Sequence, residues 1–157
     1  MPNNKQSGDF GEQEVTELVV CPNCSKKLML LPTGYPLFDV QCTACNFRAQ
    51  VKTNNTTPKS VIRGAGWDIL NKVMKAGFLL PSLIVNFKWK EKGEKKQEIR
   101  FYPFIKRSSL RPYLANIKSR SRKYKMFNYD LHNLVYDRLY SEYTTRNIPT
   151  LVPQKRK

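Results

Sequence analysis

Long apolar runs are missing from this sequence, and acids are scarce. No segment approaches the roughly 20 consecutive apolar residues that a membrane-spanning helix needs. The first 20 residues (MPNNKQSGDFGEQEVTELVV) lack the basic start, apolar run and small-residue cleavage site of an export signal. The expectation is a soluble, cytoplasmic chain with no membrane partner. There is a single histidine, His132, expected on the surface of a helix, which argues against a histidine-based mechanism. No internal repeat and no second domain boundary interrupt the chain.

The shortage of acids is uneven. Only 12 stand against 28 lysines and arginines, for a formal charge of +16. None falls between Ile99 and Tyr129, where Arg100, Lys106, Arg107, Arg111, Lys118, Arg120, Arg122, Lys123 and Lys125 accumulate among Tyr102, Tyr113 and Tyr124. A solvated surface mixes signs, so an excess of one sign points to an anionic polymer. No apolar helical face accompanies these charges, which disfavours a membrane surface. Nucleic acid is the expected partner.

At 157 residues, with 40% apolar residues, the chain has the size and content of one packed domain. Residues 1–10 are polar and expected to be flexible, residues 11–146 to form the domain, and residues 147–157 to trail as a basic tail. A short helix is expected over Glu12–Val20, an approach strand over Pro36–Gln41 and a return strand over Asn46–Lys52. Thr53–Ser60 has loop composition. Trp67, Leu70, Val73 and Met74 mark a helix capped at Gly77. The alternation of Leu83, Val85, Phe87 and Trp89 indicates a strand, with a turn near Gly93 and an opposing strand through Ile99, Phe101 and Phe104. Beyond Pro112 the pattern looks irregular. Asp130, Leu131, Leu134, Val135 and Leu139 suggest a capped closing helix. Trp67 and Trp89 are expected in the core.

The four cysteines form two close pairs, Cys21-x-x-Cys24 and Cys42-x-x-Cys45, with 17 residues between them. Two such knuckles supply four thiolates to one tetrahedral zinc. Disulfides suit exported chains, and a duplicated redox pair around a short hairpin would be unusual, so zinc is the expectation. With four sulfur ligands it would be structural, leaving no position for water or substrate.

The hairpin between these pairs carries a second pattern. Asp39 is followed eleven residues later by Gln50 and then, after one spacer, by Lys52. A carboxylate, an acid or amide, and a lysine at this spacing form the minimal site of metal-dependent nucleases, written PD-(D/E)xK. Phosphodiester cleavage needs a hard divalent cation on oxygen ligands and gains from an ammonium near the nucleophile or the developing charge. Asp39 and the Gln50 oxygen could be those ligands. Lys52 projects to the same side as Gln50.

The segment CPNCSKKLMLLPTGYPLFDVQCTACNFRAQVK resembles the corresponding part of the DpnI-like, Dam-replacing family of restriction endonucleases. The likeness continues into GAGWDILNKVMKAGFLLPSLIVNFKW, FYPFIKRSSLRP and FNYDL, covering roughly residues 12 to 131. It implies an α/β (α+β) mixed-sheet nuclease core with an inserted four-cysteine zinc ribbon, magnesium as catalytic metal, and double-stranded DNA as substrate, with adenine-methylated GATC among the family's targets. Gln50 stands where the family has Glu, and an amide oxygen binds a hard cation more weakly than a carboxylate. Glu17, with Glu14 next, is the candidate to supply the missing charge. Family members can carry a separate winged-helix domain. After Leu131 this sequence offers one helix and a tail, so recognition is expected to rest on the core or on a second subunit, in a monomer or homodimer.

The expected DNA-contact residues are Arg107, Ser108, Ser109, Arg111, Lys118, Arg120, Arg122 and Lys123. Arg63 and Lys72 are weaker candidates for phosphate contact. The leading expectation is a magnesium-dependent endodeoxyribonuclease. The alternatives are a zinc-ribbon DNA-binding protein with an impaired site, acting as a regulator or accessory subunit, and a zinc-ribbon RNA-binding factor.

Overall fold

A computed structural model describes residues 4–116 and 123–143 of the chain, a mixed α+β fold with few helices and many strands. Its contacts gather into two compact units. The first takes Met1–Pro58, Pro81–Pro103 and Val135–Lys157, and the second takes Lys59–Leu80 and Phe104–Leu134. The second unit enters and leaves the chain twice, so no single linker in the sequence marks it.

The first unit is built on a six-stranded sheet. Its strands are β1 (Leu28–Leu30), β2 (Val40–Cys42), β3 (Arg48–Asn54), β5 (Leu83–Glu91), β6 (Glu94–Tyr102) and β9 (Asp137–Tyr143), neighbours in that order. Only β3 and β5 run parallel. All other pairs are antiparallel. The β5–β6 hairpin turns through Lys92 (φ 51°) and Gly93 (φ 79°), the two positive angles that a tight turn matched to strand twist requires. Residues 83 to 87 of β5 are all buried, on both faces, as a central strand demands.

Helix α1 (Asn4–Leu18) lies on one face of this sheet. It starts eight residues before the expected position, in the segment read as flexible; those first turns are polar and carry no apolar rhythm that would have marked a helix. Gly11 and Val15 form its buried stripe, which Val19, just past the helix end, continues at the same interval of four. At Gly11 the helix comes so near β3 that an added Cβ would sit 1.8 Å from the Thr53 Oγ1. Val15 and Val19 join Val40, Ala49, Val51, Ile84, Ile99, Phe101 and Leu139 in the core. Glu14 ties the helix to the sheet by polar bonds. It meets Lys88 Nζ at 2.6 Å and accepts from Asn86 and Gln97 at 3.4 Å.

The expected closing helix is instead a turn followed by strand β9. Leu131, Leu134 and Leu139 have helical spacing, but Asp130 Oδ1 accepts from the His132 N–H at 3.1 Å and Leu134 N–H returns to the Leu131 carbonyl. Asn133 takes a positive φ of 61° there, which no helix allows. The Asp130 side chain therefore caps a turn. From Asp137 the chain pairs with β6, and His132 is exposed in the turn.

The second unit is a three-stranded antiparallel sheet, β4 (Val61–Gly66), β8 (Lys123–Asp130) and β7 (Leu110–Asn116), with helix α2 (Trp67–Lys75). The stretch read as irregular beyond Pro112 thus supplies most of β7 and all of β8, an antiparallel pair preceded by a 3-10 turn at Arg107–Ser109. Ile62, Leu70, Met74, Leu110, Phe127 and Tyr129 form its buried centre, and Trp67 packs edge-on against Phe127 at 6.1 Å. Gly64 is required, since a Cβ there would meet the Phe127 ring at 2.4 Å. The helix ends as expected, with Gly77 at φ 85° donating to the Met74 carbonyl.

Candidate metal centre and active site

The four cysteines converge. Their sulfurs all lie within 4.8 Å of one another and could hold a metal ion such as zinc. Cys21 Sγ lies 3.6 Å from Cys45 Sγ, and Cys24 Sγ lies 3.3 Å from Cys42 Sγ. Tetrahedral zinc with bonds of about 2.3 Å places its sulfurs roughly 3.8 Å apart, so the donor set fits. None of the four is in a disulfide.

Local backbone geometry builds each knuckle. Asn23 N–H donates to Cys21 Sγ and Ala44 N–H to Cys42 Sγ, both at 3.3 Å. The Ser25 N–H closes on the Cys21 carbonyl, with Ser25 at φ 64°. Thr43 locks the knuckles together by donating from both its amide and its hydroxyl to the Lys27 carbonyl. The Asn23 side-chain amide, 3.4 Å from Cys45 Sγ, holds that thiol below its ordinary range, whereas burial pushes Cys21 up.

From this clamp the chain runs back along β2 and β3. Val40 pairs with Ala49, and both are buried, so continuing the register places Asp39 opposite Gln50 on the other face. The approach strand is shorter than expected, Val40–Cys42, because Leu37 turns the chain away at φ 66°. The return strand lies two residues later than expected at each end. Beyond Ala49, β3 has lost β2 as its neighbour. The Asp39 side chain takes the missing place, its Oδ2 accepting from the Val51 N–H at 2.7 Å. Its own amide donates to the Ala49 carbonyl, and its carbonyl accepts from Leu31, so the residue is tied on both sides.

Lys52 is half-buried one step along the same face. Burial lowers its ammonium pKa, opposed by the charges of Asp39 and Glu12. Asp39, in turn, is raised by burial against the pull of the Val51 amide and Lys52.

The second acid at this edge is Glu12, hydrogen-bonded to Asp39. Burial first, then the charges of Asp39 and Asp9, push it up to about 7. The acid of α1 beside Asp39 is therefore Glu12, and not the expected Glu17 or Glu14. At about 100° per residue, Glu12 and Glu14 flank opposite sides of the Gly11–Val15 stripe, and Glu17 lies well outside it. Glu14 is held by Lys88 on the far flank, and Glu17 is exposed, accepting from Gln13 at 3.1 Å. The signal in the sequence was the phase of the helix relative to Gly11, which required knowing that a glycine marks the contact.

The structure thus brings Asp39, Lys52 and Glu12 together, with Gln50 on the same face of β3 as Lys52. Two half-buried carboxylates sharing a hydrogen bond repel one another when both are charged, and a divalent cation relieves that repulsion. The donor set, two carboxylates and an amide oxygen, suits a hard ion.

The DNA-contact candidates are divided. Arg107, Ser108 and Arg111 are exposed in the second unit, but Ser109 is buried and donates its amide to the Lys106 carbonyl, so it drops out of the contact set. Arg111 meets Asp130 at 3.0 Å. Arg63 on β4 and Lys72 on α2 are exposed. Lys118, Arg120 and Arg122 lie outside the described residues, as does the basic tail, and Lys123 is placed only as the first residue of β8. Among the described residues no helix is long and apolar enough to cross a membrane.

No family model matches this chain, and no curated protein matches it either.

Proposed function

We propose that the chain is a metal-dependent endodeoxyribonuclease of restriction type, cutting double-stranded DNA. One observation carries this reading: two carboxylates, Asp39 and Glu12, share a hydrogen bond within the electrostatic reach of the Lys52 ammonium, at the point where β3 loses its neighbour. The four-cysteine clamp, with zinc as its structural metal, holds the two strands that carry Asp39 and Gln50. Magnesium would be held by Asp39, Glu12 and the Gln50 side-chain oxygen, and when bound it supplies a Lewis acid and lowers the pKa of water. Glu12 contributes the charge that Gln50 lacks. Lys52, partly desolvated and facing two acids, orients the attacking water and offsets charge as it develops on the phosphate. The resemblance to the DpnI-like family agrees with this assignment.

The test is digestion of methylated and unmethylated plasmid, with and without magnesium. Nicking or cutting that requires magnesium is expected. A Lys52→Ala chain that cuts as fast as the wild type would overturn the assignment.

Gln50 favours a second reading, a zinc-ribbon DNA-binding protein whose nuclease site is impaired. That reading predicts salt-sensitive DNA binding without cleavage at any divalent metal. Cutting restored by Gln50→Glu would then identify a decayed nuclease.

A further inference from the structure

The sheet of the second unit has two unlike faces. One is its core face, where Ile62, Phe127, Tyr129 and Leu110 are buried. Strand alternation sends Val61 and Arg63 of β4, Asn128 and Asp130 of β8, and Arg111 and Tyr113 of β7 to the other face. Its outer strands are open: Val61 is 49% and Tyr113 37% exposed, the Arg111 side chain is 66% exposed, and Arg63 is exposed as well, while Asn128 and Asp130 on the central strand are half-buried.

The register aligns three of these residues in one row. Arg63 pairs with Asn128, and Asn128 pairs with Arg111, so the two arginines sit on the outer strands with the amide between them. Two strand spacings separate them, about 10 Å. Arg111 is held by Asp130, whose other oxygen accepts from the His132 amide. A guanidinium already held in place loses less freedom when it binds a partner.

We propose that this open face is a sequence-reading site that lies against the major groove of duplex DNA, with Arg63, Asn128 and Arg111 at the base edges. The residue types are those the groove selects. An arginine fork matches guanine O6 and N7, and an asparagine amide matches adenine N6 and N7. The row is narrower than the groove, about 12 Å wide, and Tyr113 and Val61 beside it offer apolar contact to a thymine methyl. A surface that served only to hold phosphates would need point charges and no central amide. Asp130, the acid on this face, is paired with Arg111, and the segment from Ile99 to Tyr129, which includes β7 and most of β8, contains no acid, so the approach of a polyanion is favoured.

This inference shares with the proposed function the premise that the partner is duplex DNA, and not the premise of cleavage. The experiment is a binding selection with the full chain, without added magnesium, from a pool of duplexes with a randomised centre. The wild type should enrich one sequence. Arg63→Lys, which keeps the charge and loses the fork, and Asn128→Ala should each weaken the preference at one base pair about tenfold or more. Thermal melting should stay unchanged, and so should the salt dependence of Arg63→Lys. Three results overturn the inference: no consensus from the wild type, the same consensus at the same strength from both variants, or a single-stranded RNA pool displacing the duplexes at equal nucleotide concentration. A wild type that selects a sequence and never cuts with magnesium removes the nuclease and leaves the reading face standing. One that cuts while both variants select as it does removes only the reading face.

Discussion

The two sheets of this molecule expose different things. At its centre the six-stranded sheet is buried on both faces, and its chemistry gathers where one strand gives out: Asp39 replaces a missing neighbour of β3, with Glu12 and Lys52 beside it. The three-stranded sheet is buried on one face only, leaving Arg63, Asn128 and Arg111 on the other. A broken edge concentrates charge in a half-buried place, where desolvation strengthens its action on a bound ion. An uncovered face spreads polar groups in solvent, where each is weak and the pattern carries the information. Under the two proposals above, reaction belongs to the first unit and recognition to the second.

The largest effect should come from the clamp that keeps the broken edge in shape. Structural zinc contributes on the order of 10 kcal/mol in small zinc-bound peptides. Cys42→Ser should therefore remove the metal and abolish the cooperative melt of the first unit, read by zinc release and by circular dichroism. Next come the acids at the edge. Glu12→Gln should lower cleavage about 100-fold and raise the magnesium concentration required, while Glu17→Gln leaves both within about twofold. Plasmid nicking against magnesium concentration compares them directly. Equal loss from the two variants would return the role to the outer face of α1.

What the sequence showed follows the range of the interactions involved. The cysteine knuckles, the alternation of β3 and the β5–β6 hairpin rest on neighbours a few residues apart, and each was legible. Glu12 was not, because its role depends on how α1 is rotated against Thr53, some forty residues away. Strand β9 was hidden because Leu131, Leu134, Val135 and Leu139 imitate a helical stripe, although Leu131 is buried in a turn and Leu139 in a strand. Strands β7 and β8 looked irregular because one of their faces is never covered, so arginine, asparagine and tyrosine interrupt the apolar rhythm. Ser109 beside Arg107 looked like a contact residue, and the 3-10 turn folds it inward.

The ion pairs sharpen the same comparison. Glu98 of β6 is only 2% exposed and is paired with both Arg100 and Arg138, and Arg100 also lies 4.1 Å beneath the Tyr136 ring. Replacing Glu98 by Ala leaves the Arg100 guanidinium, 17% exposed, without its carboxylate in a poorly solvated place, while Arg138, 43% exposed, can turn to water. A loss of about 3 kcal/mol or more is expected from urea unfolding. If Glu98→Ala melts like the wild type, the six-stranded sheet is far more open to water than its burial indicates.

The smallest effect belongs to the corresponding pair on the open sheet. Arg111 and Asp130 lie 3.0 Å apart, but the arginine side chain is 66% exposed, so water and salt screen the attraction. Arg111→Ala should cost under about 0.5 kcal/mol in urea unfolding, within the scatter of exposed pairs. The Asp130 carboxylate keeps its bond from the His132 amide, so the turn into β9 persists without the arginine. Stability that falls as far as it does for Glu98→Ala would mean that the face is covered by something in solution, and that Arg111 is a structural partner. Unchanged stability leaves the guanidinium with no fold to support, so any reason for its placement must lie outside the chain.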